Sequence, residues 1–173
     1  MMFCLTLLAL LCCGIFVNSG QIQPRSSSSS GEYGGGGGKR FSHSGNQLDG
    51  PITAIRVRTN RWGYIVGLQV RYGKEWSNYV GGSSGDQEEI FFHPGESIIQ
   101  ASGNYKTYIR KLVFITDKGR YFPFGKDTGT SFNAAPLFSG TVLRYLSGRF
   151  GSVIDALAFH WDKYPTDCLS CKK

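Results

Sequence analysis

Three eight-residue segments of this chain repeat one pattern of apolar residues. They span residues 65–72, 109–116 and 154–161. Each carries a leucine at the same place, and successive leucines lie 44 and 45 residues apart. Another β-rich run precedes each segment, and these runs begin at Ile55, Ile98 and Val142. A period near 45 residues that occurs three times predicts a modular all-β fold.

One position breaks the symmetry of the three segments. The third segment has a carboxylate, Asp155, where the first two have Val66 and Arg110. Residues that recur in every module serve the fold that the modules share, whereas function depends on particular sites placed on a fold. The position that differs is therefore the first candidate for a functional residue.

Within each segment, alternate residues point to opposite sides of the predicted strand. One side is predicted to face a shared core, and its residues are Leu68, Val70, Tyr72, Leu112, Phe114, Thr116, Leu157, Phe159 and Trp161. The other side is polar or small, and includes Gln69, Arg71, Ala156, Ala158 and His160. Three modules are too few for a propeller, which needs about four blades. Three four-stranded sheets closed around one core make a triangular prism instead.

The chain begins with about fifteen apolar residues and then becomes small and polar. This pattern predicts a secretory signal peptide over residues 1–19. The alternative, an uncleaved membrane anchor, needs about 20 apolar residues, and no later segment resembles a membrane span. The rest of the chain is long enough for one domain with its own core.

The chain is basic, with a net charge of +7 and an isoelectric point near 9.3. In a secreted protein this charge favours anionic partners such as sulfated glycans, acidic mucus or acidic secretory proteins. We do not expect nucleic acid as a partner outside the cell.

A serine run and a glycine run precede the first module. The composition of residues 20–33 predicts a flexible, serine-rich N-terminal segment. The glycine run over 34–38 leads directly into β-rich sequence, so it is either the end of a tail or a loop of the domain. We assign residues 34–163 to the domain and 164–173 to a C-terminal tail.

Two cysteines, Cys168 and Cys171, remain after the signal peptide. In the oxidising secretory route this Cys-x-x-Cys pair is expected to form a local disulfide. The alternatives are redox activity, which normally accompanies a βαβ unit that is absent from this sequence, and a bond between chains. A zinc site needs two further ligands with suitable spacing, so neither a metal nor a cofactor is expected.

Several segments resemble the jacalin-related lectins, and in particular a group of animal secretory lectins within that family. The resemblance rests on the glycine run, the loop 148–155, the segments 40–54, 85–91 and 116–121, and the closing Cys-x-x-Cys. It covers nearly the whole chain after the signal peptide. It implies a β-prism of three four-stranded Greek-key sheets with pseudo-threefold symmetry, and a lectin without enzymatic activity.

The sharpest motif is Gly151-x-x-x-Asp155, in the loop that binds sugar in this family. An ionised carboxylate accepts hydrogen bonds from two adjacent hydroxyls and so orients them. Gly151 permits close approach, and the amides of Ser152 and Val153 can donate to sugar oxygens. We expect the Asp155 carboxylate to lie exposed at a rim, beside glycine backbone. The alternative is a carboxylate that only caps the turn.

Four further residues complete the predicted sugar site, because their loops lie at that site in the family. They are Gly38, Lys106, Tyr108 and Phe150. Lys106 can meet an anionic or hydroxyl group, and Tyr108 can offer a flat apolar face and a hydroxyl. The alternatives are a solvated hairpin tip for these two residues and simple packing for Phe150.

Basic residues predict a second binding surface, for polyanions. Lys39, Arg40, Arg56 and Arg58 would lie together if the glycine loop folds onto the first module. Arginine forks suit sulfate oxygens, and the resemblance implies sulfated glycosaminoglycans as partners. The alternative is an ordinary solvated strand face, on which basic residues also prevent edge pairing.

The resemblance also implies ligands and locations. The ligands are mannose-type glycans and bacterial cell-wall peptidoglycan; the locations are secretory (zymogen) granules, the Golgi and extracellular mucus, with a linker role in granule packaging. The rival hypothesis is a packaging protein that acts by charge alone and has a vestigial sugar pocket. A glycosidase would need two suitably spaced carboxylates, and only Asp155 stands at the expected place.

Overall fold

The computed structural model describes residues 26–164, which form three antiparallel sheets around a common core. The first-module sheet contains β3 (Ile52–Thr59), β4 (Ile65–Tyr72), β5 (Glu75–Trp76), β6 (Val80–Gly81) and β7 (Asp86–Phe91). The second-module sheet contains β8 (Ile98–Tyr105), β9 (Ile109–Thr116), β10 (Tyr121–Gly125) and β11 (Thr130–Ala134). The third-module sheet contains β1 (Ser28–Gly34), β2 (Lys39–Ser42), β12 (Val142–Phe150) and β13 (Ile154–Asp162). The helical content of this part of the chain is one short 3₁₀ turn, Asn46–Asp49.

Each sheet is built around one hairpin of two long strands. The strand orders are β5-β4-β3-β7, β10-β9-β8-β11 and β1-β13-β12-β2. The third sheet takes both of its edge strands from the beginning of the domain, so the first and last segments of the chain close the prism together. These findings confirm the predicted all-β prism of three modules.

The first sheet departs from the predicted four strands. Its edge beside β4 is interrupted, so that β5 pairs with residues 71–72 and β6 pairs with residues 67–68. The sheet therefore has five strands, two of them only two residues long.

Apolar side chains from all three sheets fill the interior. All nine residues predicted to face the core are at most 1% exposed. The indole nitrogen of Trp161 donates a hydrogen bond to Ser30 Oγ at 3.0 Å, which satisfies its polar atom inside the apolar interior. On the other side of the long strands, Gln69, Arg71 and His160 are half-buried.

Within the segment 20–33 that was predicted to be flexible, the structure describes residues 26–33 and corrects the prediction for that part. Residues 28–34 form β1, which pairs with β13 along the edge of the third sheet. Tyr33 stacks on Phe132 with ring centroids 4.5 Å apart. The Ser30 hydroxyl also holds this strand against β13, because it accepts the hydrogen bond from the Trp161 indole. A low-complexity composition hides these contacts, because they depend on the partner strand rather than on the segment itself.

The same irregularity occurs in all three central hairpins. Near its turn, the second strand of each hairpin carries one extra residue, a β-bulge, and the extra residues are Val66, Arg110 and Asp155. A bulge re-aims its side chain out of the regular alternation and is frequent next to binding sites. Asp155, the residue that breaks the sequence symmetry, thus lies at a bulge and not in the regular part of its strand.

Two predictions lie outside the described residues: the signal peptide over 1–19 and the pairing of Cys168 with Cys171. Between residues 26 and 164, no helix has the length and apolar character that crossing a membrane requires.

Candidate functional site

Three connections meet at one end of the prism: the β12–β13 turn, the β1–β2 glycine loop and the β8–β9 turn. The glycine loop lies against both turns. A Cβ atom at Gly38 would stand 2.6 Å from the carbonyl group of Phe150, and one at Gly35 would collide with the carbonyl oxygen of Thr107. The glycine run is therefore a loop of the domain, and it fills the space between the third and second modules.

The Asp155 side chain points toward this glycine loop. Cβ atoms on Gly37 and Gly38 would stand 2.8 and 2.6 Å from its Oδ1 and Oδ2 atoms. Gly151 approaches from the turn, with its Cβ position 3.6 Å from Oδ2. At Gly37 and Gly38, a side chain would occupy the space beside the carboxylate, and at Gly38 it would also meet the Phe150 carbonyl of β12.

The structure corrects the expectation that Asp155 is exposed. The residue is only 5% exposed, because glycine backbone packs beside its carboxylate. It is nevertheless not part of the hydrophobic core cluster. Its Oδ2 atom is enclosed and has no hydrogen-bond partner among residues 26–164. A carboxylate that only capped the turn would be satisfied by turn amides, and the Oδ2 atom of Asp155 is not satisfied in this way.

The turn also offers hydrogen-bond donors next to the carboxylate. The Gly151 amide donates to the Val153 carbonyl at 2.9 Å and closes the turn. Ser152 is exposed and Val153 is half-buried, and neither amide donates in the loop hydrogen bonds of residues 26–164. Acceptor and donors of this kind, side by side, match the hydroxyl and ring oxygens of a sugar.

The other predicted sugar-site residues divide into two pairs. Gly38 and Phe150 touch each other beside Asp155, and the ammonium of Lys39 lies 4.8 Å above the Phe150 ring. Lys106 is exposed at the tip of the β8–β9 turn, whereas Tyr108 packs edge-on against Tyr64 of the first-module hairpin, with ring centroids 5.8 Å apart. Contact of Lys106 and Tyr108 with a ligand stays a prediction.

Two contacts at this end were not predicted from the sequence. Thr107 touches the glycine loop, and the carbonyl of Ser152 packs so closely on Gly82 that a side chain there would collide with it. The Tyr79 hydroxyl donates a hydrogen bond to the Gly82 carbonyl and fixes this second support. The Gly81-Gly82 pair is recognisable in the sequence as a turn, but the sequence alone does not show that this turn contacts the third module.

The four predicted polyanion-binding residues lie on two different sheets. Lys39 and Arg40 belong to β2, and Arg56 and Arg58 to β3. These four residues were predicted to lie together if the glycine loop folded onto the first module. The loop packs instead on the third and second modules. Arg56 pairs with Glu89 at 2.8 Å, so the β3 pair is partly neutralised. The Arg40 side chain is 69% exposed and lies 3.5 Å from Glu32, so the β2 pair is partly neutralised as well.

Comparison with known proteins decides the family. Residues 30–160 match the jacalin-like lectin domain. The chain belongs to the jacalin-like lectins. Human zymogen granule membrane protein 16 is 70% identical to this lectin over 170 residues, which cover 98% of this chain and all of the human protein.

Solved structures agree with this assignment. The crystal structure of a prostate-specific WGA16 glycoprotein lectin matches with a TM-score of 0.71 and 38% identity, over 79% of this chain and 99% of that one. The artocarpin–mannotriose complex matches with a TM-score of 0.66 and 25% identity, over 79% of this chain and 98% of that one. Members of this family bind carbohydrates and are not enzymes.

Proposed function

We propose that this lectin binds mannose-type sugars through Asp155 and the amides of Ser152 and Val153. The observation that carries the proposal is the position of the Asp155 carboxylate, which lies against Gly38 and Gly151 in the same turn as the Ser152 and Val153 amides, neither of which donates in the loop hydrogen bonds of residues 26–164. Two adjacent sugar hydroxyls would donate to this carboxylate. The mannotriose complex of artocarpin supports the choice of sugar.

The proposal includes anionic and cell-wall glycans as further ligands. The net charge of +7 supports binding of sulfated glycosaminoglycans, and Arg40, which is 69% exposed, is one candidate group although it also pairs with Glu32. Bacterial peptidoglycan follows from the family resemblance. The names of the zymogen granule relatives support association with secretory granules. Secretion through the Golgi, release into mucus and a linker role in packaging follow from the family resemblance.

Salt dependence tests the sugar site against the charge-only alternative. Binding of methyl α-mannoside and of heparin is measured by calorimetry while the salt is raised from about 0.1 M to about 1 M, which shortens the screening length from about 10 Å to about 3 Å. Neutral mannoside should keep its affinity within about twofold, because its hydrogen bonds lie in an enclosed site. Heparin affinity should fall by more than about tenfold, since it depends on charge.

Methyl β-galactoside is the matched control for sugar choice and should bind weakly at both salt concentrations. If heparin binds in a salt-dependent way and mannoside does not bind at all, the charge-only alternative is correct. If mannoside binding falls with salt as steeply as heparin binding, the assignment to an enclosed hydrogen-bonding site is wrong.

Replacing Gly38 with alanine should weaken mannoside binding by about tenfold or more. Gly38 has φ +69°, a conformation that costs a non-glycine residue about 1–3 kcal/mol, and the new methyl would stand 2.6 Å from Asp155 Oδ2. A loss of about 1.4 kcal/mol corresponds to tenfold in affinity. Calorimetric titration of the variant gives the comparison.

Gly36 provides the control within the same loop. It has no atom within 4 Å of a Cβ position and does not need a positive φ, so Gly36→Ala should leave binding nearly unchanged. Equal losses in the two variants would mean that general loop flexibility matters, and not the packing of Gly38 on the carboxylate.

A further inference from the structure

The outer face of the third sheet contains an open groove of about 620 Å³. Ala158 of β13 and Gly148 of β12 contribute small residues to its lining. The walls carry polar or aromatic side chains, which include Glu32, Arg40, Tyr145, Ser147 and His160.

The pseudo-threefold symmetry shows that this groove is particular to the third module. The residue equivalent to Ala158 in the first module is Gln69, which accepts a hydrogen bond from Arg56 at 3.2 Å and donates one to Ser77 at 2.8 Å. In the second module it is Val113, beside a smaller hollow of about 250 Å³. The first-module face is thus covered by side chains, whereas alanine leaves the third-module face hollow.

The walls combine hydrogen-bonding groups of both kinds with aromatic surface. Ser147 Oγ and His160 Nε2 lie 2.8 Å apart, and the rings of Tyr145 and His160 stack at 4.1 Å. Burial lowers the pKa of His160 and so favours the neutral form of its ring. A neutral ring, a phenol and hydroxyls suit the alternating C–H and O–H surfaces of a sugar.

An ion-pair cluster forms the end of the groove nearest the Asp155 site. Glu32 lies 2.9 Å from Arg149 and 3.5 Å from Arg40. Because these charges are paired with one another, this end can offer both donors and acceptors to hydroxyl groups.

Strand pairing brings one end of the groove close to the sugar site. Arg40 pairs with Arg149, and the next pair along the two strands is Lys39 with Phe150, whose carbonyl touches Gly38. Two residues of strand separate Gly38 from Arg40, which is about 7 Å.

We infer that the groove holds the sugar units that follow a terminal mannose-type residue bound at Asp155. The ligand class is then an oligosaccharide rather than a single sugar. This inference rests on the proposed function. It adds a second surface that contacts the oligosaccharide, on the outer face of β12 and β13.

The test compares methyl α-mannoside with a linear α-mannopentaose by calorimetry on the whole protein. The pentasaccharide should bind about tenfold more tightly than the monosaccharide. Ala158→Leu places a larger side chain in the groove and should bring the pentasaccharide down to the affinity of the monosaccharide, while mannoside binding is unchanged. Nuclear magnetic resonance should show shifts at Ser147 and His160 with the pentasaccharide only.

Val113→Leu is the matched control, because it introduces leucine at the equivalent position of the second module. It should leave both affinities unchanged. Tyr145→Ala, which removes a wall, is a second variant should Ala158→Leu fold poorly, and it too should lower pentasaccharide affinity alone.

Three outcomes overturn the assignment. Equal affinity of the two sugars for the native lectin, or an unchanged preference in both groove variants, contradicts the groove while leaving the Asp155 site intact. Absence of binding by both sugars contradicts the proposed function, and the groove assignment falls with it.

Discussion

Replacing Asp155 with asparagine should reduce mannoside affinity by roughly a hundredfold or more. The carboxylate would lose its charge-assisted hydrogen bonds with two sugar hydroxyls, each worth about 1.5–3 kcal/mol, and about 3 kcal/mol already corresponds to a hundredfold. Heparin binding should be unchanged, because it does not need this group. Parallel titrations with methyl α-mannoside and heparin measure both effects.

The thermal midpoint distinguishes this loss from misfolding. The Oδ2 atom is enclosed without a partner among residues 26–164, so a neutral amide of the same shape should leave stability equal or higher. Asp127→Asn is the control, since its side chain is 70% exposed and pairs with Lys111, and it should not change mannoside binding. Full mannoside affinity in the Asp155 variant would show that the site is assigned wrongly.

Replacing Glu96 with alanine should lower the free energy of unfolding by about 3 kcal/mol, the low end for a broken buried ion pair. The Glu96 side chain is fully buried. It accepts hydrogen bonds from Thr116 at 2.6 Å, from the His93 amide at 2.7 Å and from Arg120 at 2.7 Å. The change leaves these donors without their acceptor. Urea denaturation measures the loss.

The pKa of Glu96 sets the pH range of this effect. Burial alone would raise that pKa, but the hydrogen bonds from Thr116, His93 and Arg120 outweigh burial and hold it below the ordinary value of 4.5. The unfolded chain therefore binds the proton more tightly than the folded one, so the contribution is complete well above pH 4.5 and is lost as the pH falls below it. The difference in free energy of unfolding between the native lectin and the Glu96→Ala variant should therefore become smaller at acid pH.

Glu89 supplies the matched comparison for Glu96. It also pairs with an arginine, Arg56, but its side chain is 26% exposed, and surface ion pairs contribute about 0–1 kcal/mol. Glu89→Ala should therefore cost less than about 1 kcal/mol. Similar losses in the two variants would contradict the importance of burial.

The repeat pattern was enough to predict the architecture, and its break in symmetry singled out the central residue of the proposed site. Apolar residues at two-residue spacing predicted which side of each long strand faces the core, since burial dictates that alternation. The symmetry-breaking carboxylate predicted where to look for function. Asp155 lies at the bulge, beside Gly38 and Gly151, as the family resemblance implied.

Features that depend on contacts between modules were not predictable in the same way. The serine-rich segment forms β1 because β13 offers it a partner, which composition does not reveal. The enclosure of Asp155 depends on the path of the glycine loop, and so does the separation of Lys39 and Arg40 from Arg56 and Arg58. The support of Ser152 by Gly82 joins residues far apart in sequence.

The three equivalent bulges also bear on valency, the number of glycan ends that one chain can bind in the proposed way. Val66 is fully buried, and the guanidinium of Arg110 lies 4.0 Å above the Tyr64 ring, so within residues 26–164 only Asp155 places a carboxylate at such a position. Under the proposed function, one chain binds one glycan end at Asp155, and agglutination of sugar-coated particles requires several chains. Under the same proposal, a single molecule that joins two partners has to combine two chemistries: sugar recognition beside Asp155 and ionic attraction elsewhere on its surface.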